Sequence, residues 1–138
     1  MEVLFEFEPV RSLCGVPLTD ITPSSVGKVF QEPDEIETGE VNAYGEESLA
    51  YHFHSLQLTL FFNVQQLLCI AVANAEFKLF GEQIFKLKED ELIYLFKING
   101  FPDNEMDKDW GEKQLIFEKA GVTIFFDNQK VSEIFIDV

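Results

Sequence analysis

The feature that most constrains this sequence is its similarity to itself. Residues 57–74 align on residues 121–138 without a gap. Gln57-Leu58-Thr59-Leu60-Phe61-Phe62-Asn63 runs beside Gly121-Val122-Thr123-Ile124-Phe125-Phe126-Asp127. Gln65, Leu67, Ile70 and Val72 then face Gln129, Val131, Ile134 and Ile136 at the same spacing of 64, and Phe53 faces Phe117. Upstream, a second block aligns at a spacing of 66: Leu13, Gly15, Leu18 and Ile21 face Leu79, Gly81, Ile84 and Leu87. Val26, Val29 and Phe30 face Leu92, Leu95 and Phe96, and both triplets have the i, i+3, i+4 spacing of one helix face. The two-residue slip falls in a polar connection, where a change of length is tolerated. Ordered agreement of a helix block and a strand block reads as two diverged copies of one unit.

Each copy predicts a short helix followed by three strands. In the first, Thr22 suits the N-cap and Pro23 the first helical position. In the second, Glu89, Asp90 and Glu91 favour the positive end of the helix dipole, and Gly100 suits the stop. Strands are expected near 49–55, 58–63 and 67–73, and again near 114–118, 122–126 and 131–137. The links 64–66 and 127–130 fit hairpins. Another strand is expected over 2–8, where Val3, Phe5 and Phe7 alternate with Glu2, Glu6 and Glu8, and a further one near 76–80. The expectation is an α+β fold: tandem units 1–74 and 75–138 in one compact domain, with a helix from each packed on antiparallel sheet. Edge strands 2–8 and 131–137 would be free to pair with another chain.

Fifteen Phe and a 46% hydrophobic content support a packed core in 138 residues, despite a net charge of −15. Ten Lys and Arg against 25 Asp and Glu would repel phosphate backbones and anionic membranes, so neither nucleic acid nor membrane is an expected partner. A basic protein would be attracted, although acidity serves solubility as readily as recognition. The two cysteines, Cys14 and Cys69, are too few for a disulfide framework, and Cys69 reads as a small core residue in an apolar run. The acidic, alternating start of the chain does not look like a signal peptide, and no apolar run is long enough for a membrane span. A cytoplasmic setting with reduced thiols is expected.

The segment Asp20-Ile21-Thr22-Pro23-Ser24-Ser25-Val26-Gly27-Lys28-Val29-Phe30-Gln31-Glu32-Pro33 resembles a bacterial pattern, G-h-T-x-x-x-V-x-x-h-h-G-x-P with h apolar, followed by a β-meander. The pattern belongs to the tandem-repeat β-lactamase inhibitory proteins and small outer-membrane assembly lipoproteins, and to cytoplasmic proteins resembling toxin-immunity proteins. Thr22, Val26, Val29, Phe30 and Pro33 match it, whereas Asp20 and Gln31 replace its glycines. The resemblance implies a module that binds another protein.

No catalytic constellation stands out, and no cofactor or metal is implied. The histidines, His52 and His54, lie two apart on one expected strand face without a Cys or further His to complete a metal site. Residues 103–114 imitate a calcium loop but carry Lys108 at the required glycine and Gln114 at the twelfth position. The acidic connections are more informative. Residues 31–48 hold Glu32, Asp34, Glu35, Glu37, Glu40, Glu46 and Glu47 with no Lys or Arg. Residues 101–112 hold Asp103, Glu105, Asp107, Asp109 and Glu112, with Lys108 the one base. Tyr44, Phe101 and Trp110 are embedded among them. These stretches occupy equivalent places in the two copies, and if the copies are related by a simple rotation or translation they are expected to extend one acidic surface. Asp34, Glu35, Glu37, Glu46, Glu47, Asp107, Asp109 and Trp110 are the expected contacts to a basic partner such as a toxin. A sensor holding a small molecule or peptide between helix and sheet is the alternative, and a structural subunit a further one.

Overall fold

Apolar residues at alternate positions can bury only one face of a strand, and here six such strands, flanked by two acidic edge strands, share one sheet. The computed structural model describes residues 6–8, 12–13, 16–17, 21–29, 31–41, 47–63, 66–107 and 113–138. The large sheet consists of β4 (Glu35–Val41), β5 (Glu47–Phe53), β6 (Leu58–Asn63), β7 (Gln66–Val72), β10 (Glu105–Asp107), β11 (Lys113–Phe117), β12 (Val122–Asp127) and β13 (Lys130–Asp137). Its order is β10-β11-β12-β13-β7-β6-β5-β4, antiparallel throughout. The smaller sheet, β3-β2-β1-β8-β9, is made of β1 (Glu6–Glu8), β2 (Ser12–Leu13), β3 (Val16–Pro17), β8 (Lys78–Leu79) and β9 (Glu82–Gln83). Its β1 runs parallel to β8, which ties the start of the chain to its second half.

The expected α+β arrangement is corrected by this structure. The fold is mostly β, and among the described residues only α2 (Glu89–Ile98) is longer than one turn. The first expected helix is reduced to α1 (Val26–Val29). Thr22 closes the turn that leads into it: Ser25 N–H donates to Thr22 Oγ1 at 3.2 Å, and Val26 N–H to the Thr22 carbonyl at 3.0 Å. Ser24, Ser25 and Gly27, however, are weak helix formers, and Pro33 bars continuation. In α2 the first-turn acids and the glycine stop agree. Glu89, Asp90 and Glu91 occupy the first turn, and Lys88 N–H donates to Glu91 Oε1 at 3.0 Å. The end is a Schellman motif: Gly100, at φ +94°, donates to the Lys97 carbonyl at 3.2 Å, and Phe101 N–H to that of Phe96 at 2.8 Å.

A second correction concerns the acidic connections, parts of which are β4 and β10, the two outermost strands. The strand expected as a free edge at 131–137 is instead interior, between β12 and β7, and β1 is interior to the small sheet. Cys14 and Phe30 lie outside the described residues.

The two meanders meet where β7 pairs with β13. Ile134 faces Val72 and Ile136 faces Ile70. Positions 134 and 136 stand 64 residues after 70 and 72, so this register maps onto itself about the Ala71–Phe135 pair. Local detail follows the same spacing. A 3-10 turn, His54–Leu56 or Glu118–Ala120, is followed by a left-handed residue, Gln57 (φ +49°) or Gly121 (φ +70°). The carbonyls of those residues accept from Ala73 N–H at 2.9 Å and Asp137 N–H at 2.7 Å. Each middle hairpin carries a bulge, at Phe61/Phe62 and Phe125/Phe126.

The core lies on one face of the large sheet. Leu60, Phe62, Ile70, Val72, Leu115, Phe117, Ile124, Ile134 and Ile136 are buried there, against Leu92, Leu95 and Phe96 of α2 and Ile21, Val26, Phe77, Leu79 and Ile84. Phe96 stacks on Phe117 with ring centroids 3.7 Å apart and receives the Phe80 ring edge-on at 5.2 Å.

Two stability measurements follow from this anatomy. Phe96→Ala is expected to cost about 3–5 kcal/mol in urea unfolding, because both ring contacts vanish into a cavity. A Cβ at Gly121 would stand 2.6 Å from the Asp137 carbonyl oxygen in a left-handed backbone. Gly121→Gln should therefore cost about 2 kcal/mol or more, while Gln57→Gly should be neutral or stabilising by up to about 1 kcal/mol. Equal effects at the two positions would contradict the argument.

Candidate functional site

Strand alternation decides what the opposite, outer face presents. Leu60-Phe61-Phe62 and Ile124-Phe125-Phe126 are each apolar at three successive positions, so the middle Phe of each must leave the core. Phe61, Phe125, Phe135 and Ile116 are half-buried on this outer face, with the Phe125 and Phe135 rings in edge contact at 5.4 Å. One cross-strand row runs Glu105, Ile116, Thr123 and Phe135 over β10 to β13, then Ala71, Thr59, His52 and Glu35 over β7 to β4. The row is apolar in the middle and acidic at both ends.

The acids on β4 are organised by the histidines. His52 Nε2 lies 3.1 Å from Glu37 Oε1, and His52 Nδ1 lies 3.1 Å from Thr59 Oγ1. His54 Nε2 lies 3.7 Å from Glu35 Oε2, and the two imidazoles are parallel with centroids 6.3 Å apart. Asp34 is a structural cap: its Oδ2 accepts from His54 N–H at 2.7 Å while its own N–H donates to the His52 carbonyl at 2.9 Å.

Thr59, His52 and Glu37 thus form a hydroxyl–imidazole–carboxylate chain, the order of a nucleophilic relay. It sits on the open face of a paired sheet. Thr59 belongs to β6, whose backbone is paired with β5 on one side and β7 on the other. The neighbouring N–H groups are therefore engaged in the ladders, and no pair of them converges as oxyanion donors. The chain orients His52 and Glu37 across three strands. Among the described residues, no three His, Cys, Asp or Glu side chains are grouped as a metal site, and no helix is long and apolar enough to cross a membrane.

The expected contact residues are distributed as follows. Glu35 and Glu37 border the outer face on β4. Asp107, with Glu105, borders it on β10. Glu47 is exposed at the start of β5, and Asp34 is held in its cap. Glu46, Asp109 and Trp110 lie outside the described residues, as does Tyr44. Asp103 is engaged by Lys119 at 2.7 Å. The expectation of one merged acidic surface is corrected, since β4 and β10 are opposite edges of the sheet. Seven strand spacings of about 4.8 Å place them roughly 34 Å apart along the sheet.

Cys69 also departs from its expected place. It is half-buried on the outer face, opposite Phe61 and Asp137, rather than in the core. Burial, and then the Asp137 carboxylate, push its thiol up to about 11.

No family model and no curated protein matches the chain. Among solved structures it is similar to a 1.5 Å crystal structure of an extracellular protein containing a SCP domain from Bacillus anthracis str. Ames, at a TM-score of 0.46 and 17% identity. The match covers 87% of this chain and 44% of that one, so this chain spans less than half of that neighbour. A TM-score of 0.46 carries no inference about function.

A raised thiol pKa keeps Cys69 protonated and slow to react. In a Cys14→Ser background, iodoacetamide modification at pH 8 should be at least about tenfold slower than for a free thiol, rising until pH is near 11. The sign for stability follows. The unfolded thiol ionises first, so the contribution of Cys69 is intact below pH 9 and is lost as pH climbs toward 11. An apparent pKa near the ordinary cysteine value would contradict the burial argument.

Proposed function

We propose that this chain is a non-enzymatic protein-binding module that recognises a basic partner, as a toxin-neutralising immunity protein does, through the outer face of its large sheet. The observation that carries this reading is the half-buried aromatic centre of Phe61, Phe125 and Phe135, bordered by acids on two opposite strands. Desolvated aromatic anchors inside a polar rim are the usual anatomy of an interface hot spot. The net charge of −15 adds long-range attraction for a basic protein. The resemblance of residues 20–33 to inhibitory and immunity-like proteins points the same way.

The two parts of the face have separable roles. The rim acids Glu35, Glu37, Glu105 and Asp107 accelerate encounter, and the aromatic centre slows departure. The protein should be used to capture a partner at low and at high salt, and binding kinetics should then be measured with the purified partner. Glu35→Gln/Glu37→Gln is expected to slow association several-fold and flatten its salt dependence. Phe135→Ala, with folding checked by thermal melting, is expected to speed dissociation by about tenfold or more. Retention of only non-basic proteins, or unchanged kinetics in both variants, would overturn the reading.

A further inference from the structure

Lysines in so acidic a chain would ordinarily be dispersed among carboxylates. The chain has ten Lys and Arg, yet Lys86, Lys88, Lys113 and Lys130 all line a single cleft of about 920 Å³. That size falls within the ~300–1,000 Å³ of ligand-binding pockets. The cleft opens between the 3-10 turn Ile84–Lys86, the start of α2 and the β12–β13 hairpin, on the opposite side of the sheet from the aromatic outer face.

Its charges are unevenly matched. Two acids contribute to the lining, Glu89 and Asp90. Glu89 is taken by Lys113, whose ammonium also lies 5.6 Å over the Phe126 ring. Among the described residues, Lys86, Lys88 and Lys130 have no ion-pair partner. Three unpaired cations therefore share a concave site with apolar walls from Phe85, Ile93 and Phe126. The hairpin adds a second observation. Asn128 and Gln129, at φ +51° and +69°, form a left-handed two-residue turn in which Asn128 is at home, whereas glycine would relieve the backbone at Gln129. Both are carboxamides that line the cleft. Strain kept by side chains that face a cleft is a pointer to binding.

We propose that this cleft binds a small amphipathic organic anion. A flat apolar body lies against Phe85 and Phe126, and its carboxylate, sulfonate or phosphate is held by Lys86, Lys88 and Lys130. The proposal is independent of the outer face, because the cleft shares no residue with it. A neutral molecule of the same shape gains the apolar contact alone. A simple inorganic anion gains only the exposed ion pairs, which are weak in water.

The test uses anilinonaphthalene sulfonate on the full chain, with the uncharged phenylnaphthylamine as its counterpart. Binding is read by fluorescence titration and by amide chemical shifts. Saturable one-to-one binding is expected, with shifts concentrated in residues 84–90 and 126–130. Lys86→Gln/Lys130→Gln should weaken the sulfonate at least about tenfold, with unchanged thermal stability, and leave the uncharged probe unaffected. Lys28→Gln/Lys119→Gln makes the same change in net charge away from the cleft and should leave both probes as they were. The proposal is overturned if the two double variants behave alike, if the sulfonate binds the cleft variant unchanged, or if the shifts map to Phe61, Phe125 and Phe135.

Discussion

The antiparallel pairing of β7 with β13 is the constraint on which the rest of the molecule depends. Either four-stranded meander alone would leave an apolar face without enough partner surface to bury it. Joining them at Ile70, Val72, Ile134 and Ile136 makes the inner faces continuous, so that Leu92, Leu95 and Phe96 of α2, with Leu79 and Ile84, pack into one core shared by both. The same pairing removes the last strand of each meander from solvent and leaves only β4 and β10 as edges of the large sheet. Those two are the acidic strands. Charged side chains on an edge oppose pairing with another chain. Some of the acidity therefore has a purely architectural use, which coexists with any role in recognition.

What was legible in the sequence depended on how local each determinant was. The six strands of the two hairpin sets lie close to their expected positions, because two-residue alternation is enforced by the core. The second helix was legible because Leu92, Leu95 and Phe96 share a face and its ends carry independent signals. The same apolar spacing at Val26 and Val29 did not make a second long helix, since Gly27 and the preceding serines weigh against it. Spacing shows which face a helix would bury, and propensity helps decide whether the helix extends. Strands β4 and β10 were missed because their acids resemble a solvated loop. An edge strand is held by backbone bonds to one neighbour and needs little apolar content of its own.

The candidate face was harder to read for a related reason. Phe61 and Phe125 sit beside Phe62 and Phe126, and runs of consecutive aromatics look like surplus core. Applying the alternation strictly would have sent one of each pair outward. The link of Glu37 to His52 to Thr59 had no such signal. It depends on the β4–β5 and β5–β6 registers, and register is a property of the assembled sheet. The expectation of a merged acidic surface failed at the same level. The acidic stretches hold equivalent positions in the two copies, but the symmetry of the central pairing sends them to opposite edges.

Charge in this molecule is sorted by place as well as by amount. Acids border the outer face, where Glu35 and Glu37 lie beside His54 and His52. Lysines gather at the cleft by the start of α2, where only Lys113 has an ion-pair partner among the described residues. The global field repels an approaching anion, so any anion held in the cleft must be held by short-range contacts, which an apolar wall and three nearby ammoniums provide. On the proposed reading, the same field would draw a basic protein from a distance, with aromatic contacts holding it once water is excluded. Apolar surface would thus support both proposed sites while electrostatics separates their ligands, which is why a single net charge describes the chain so poorly.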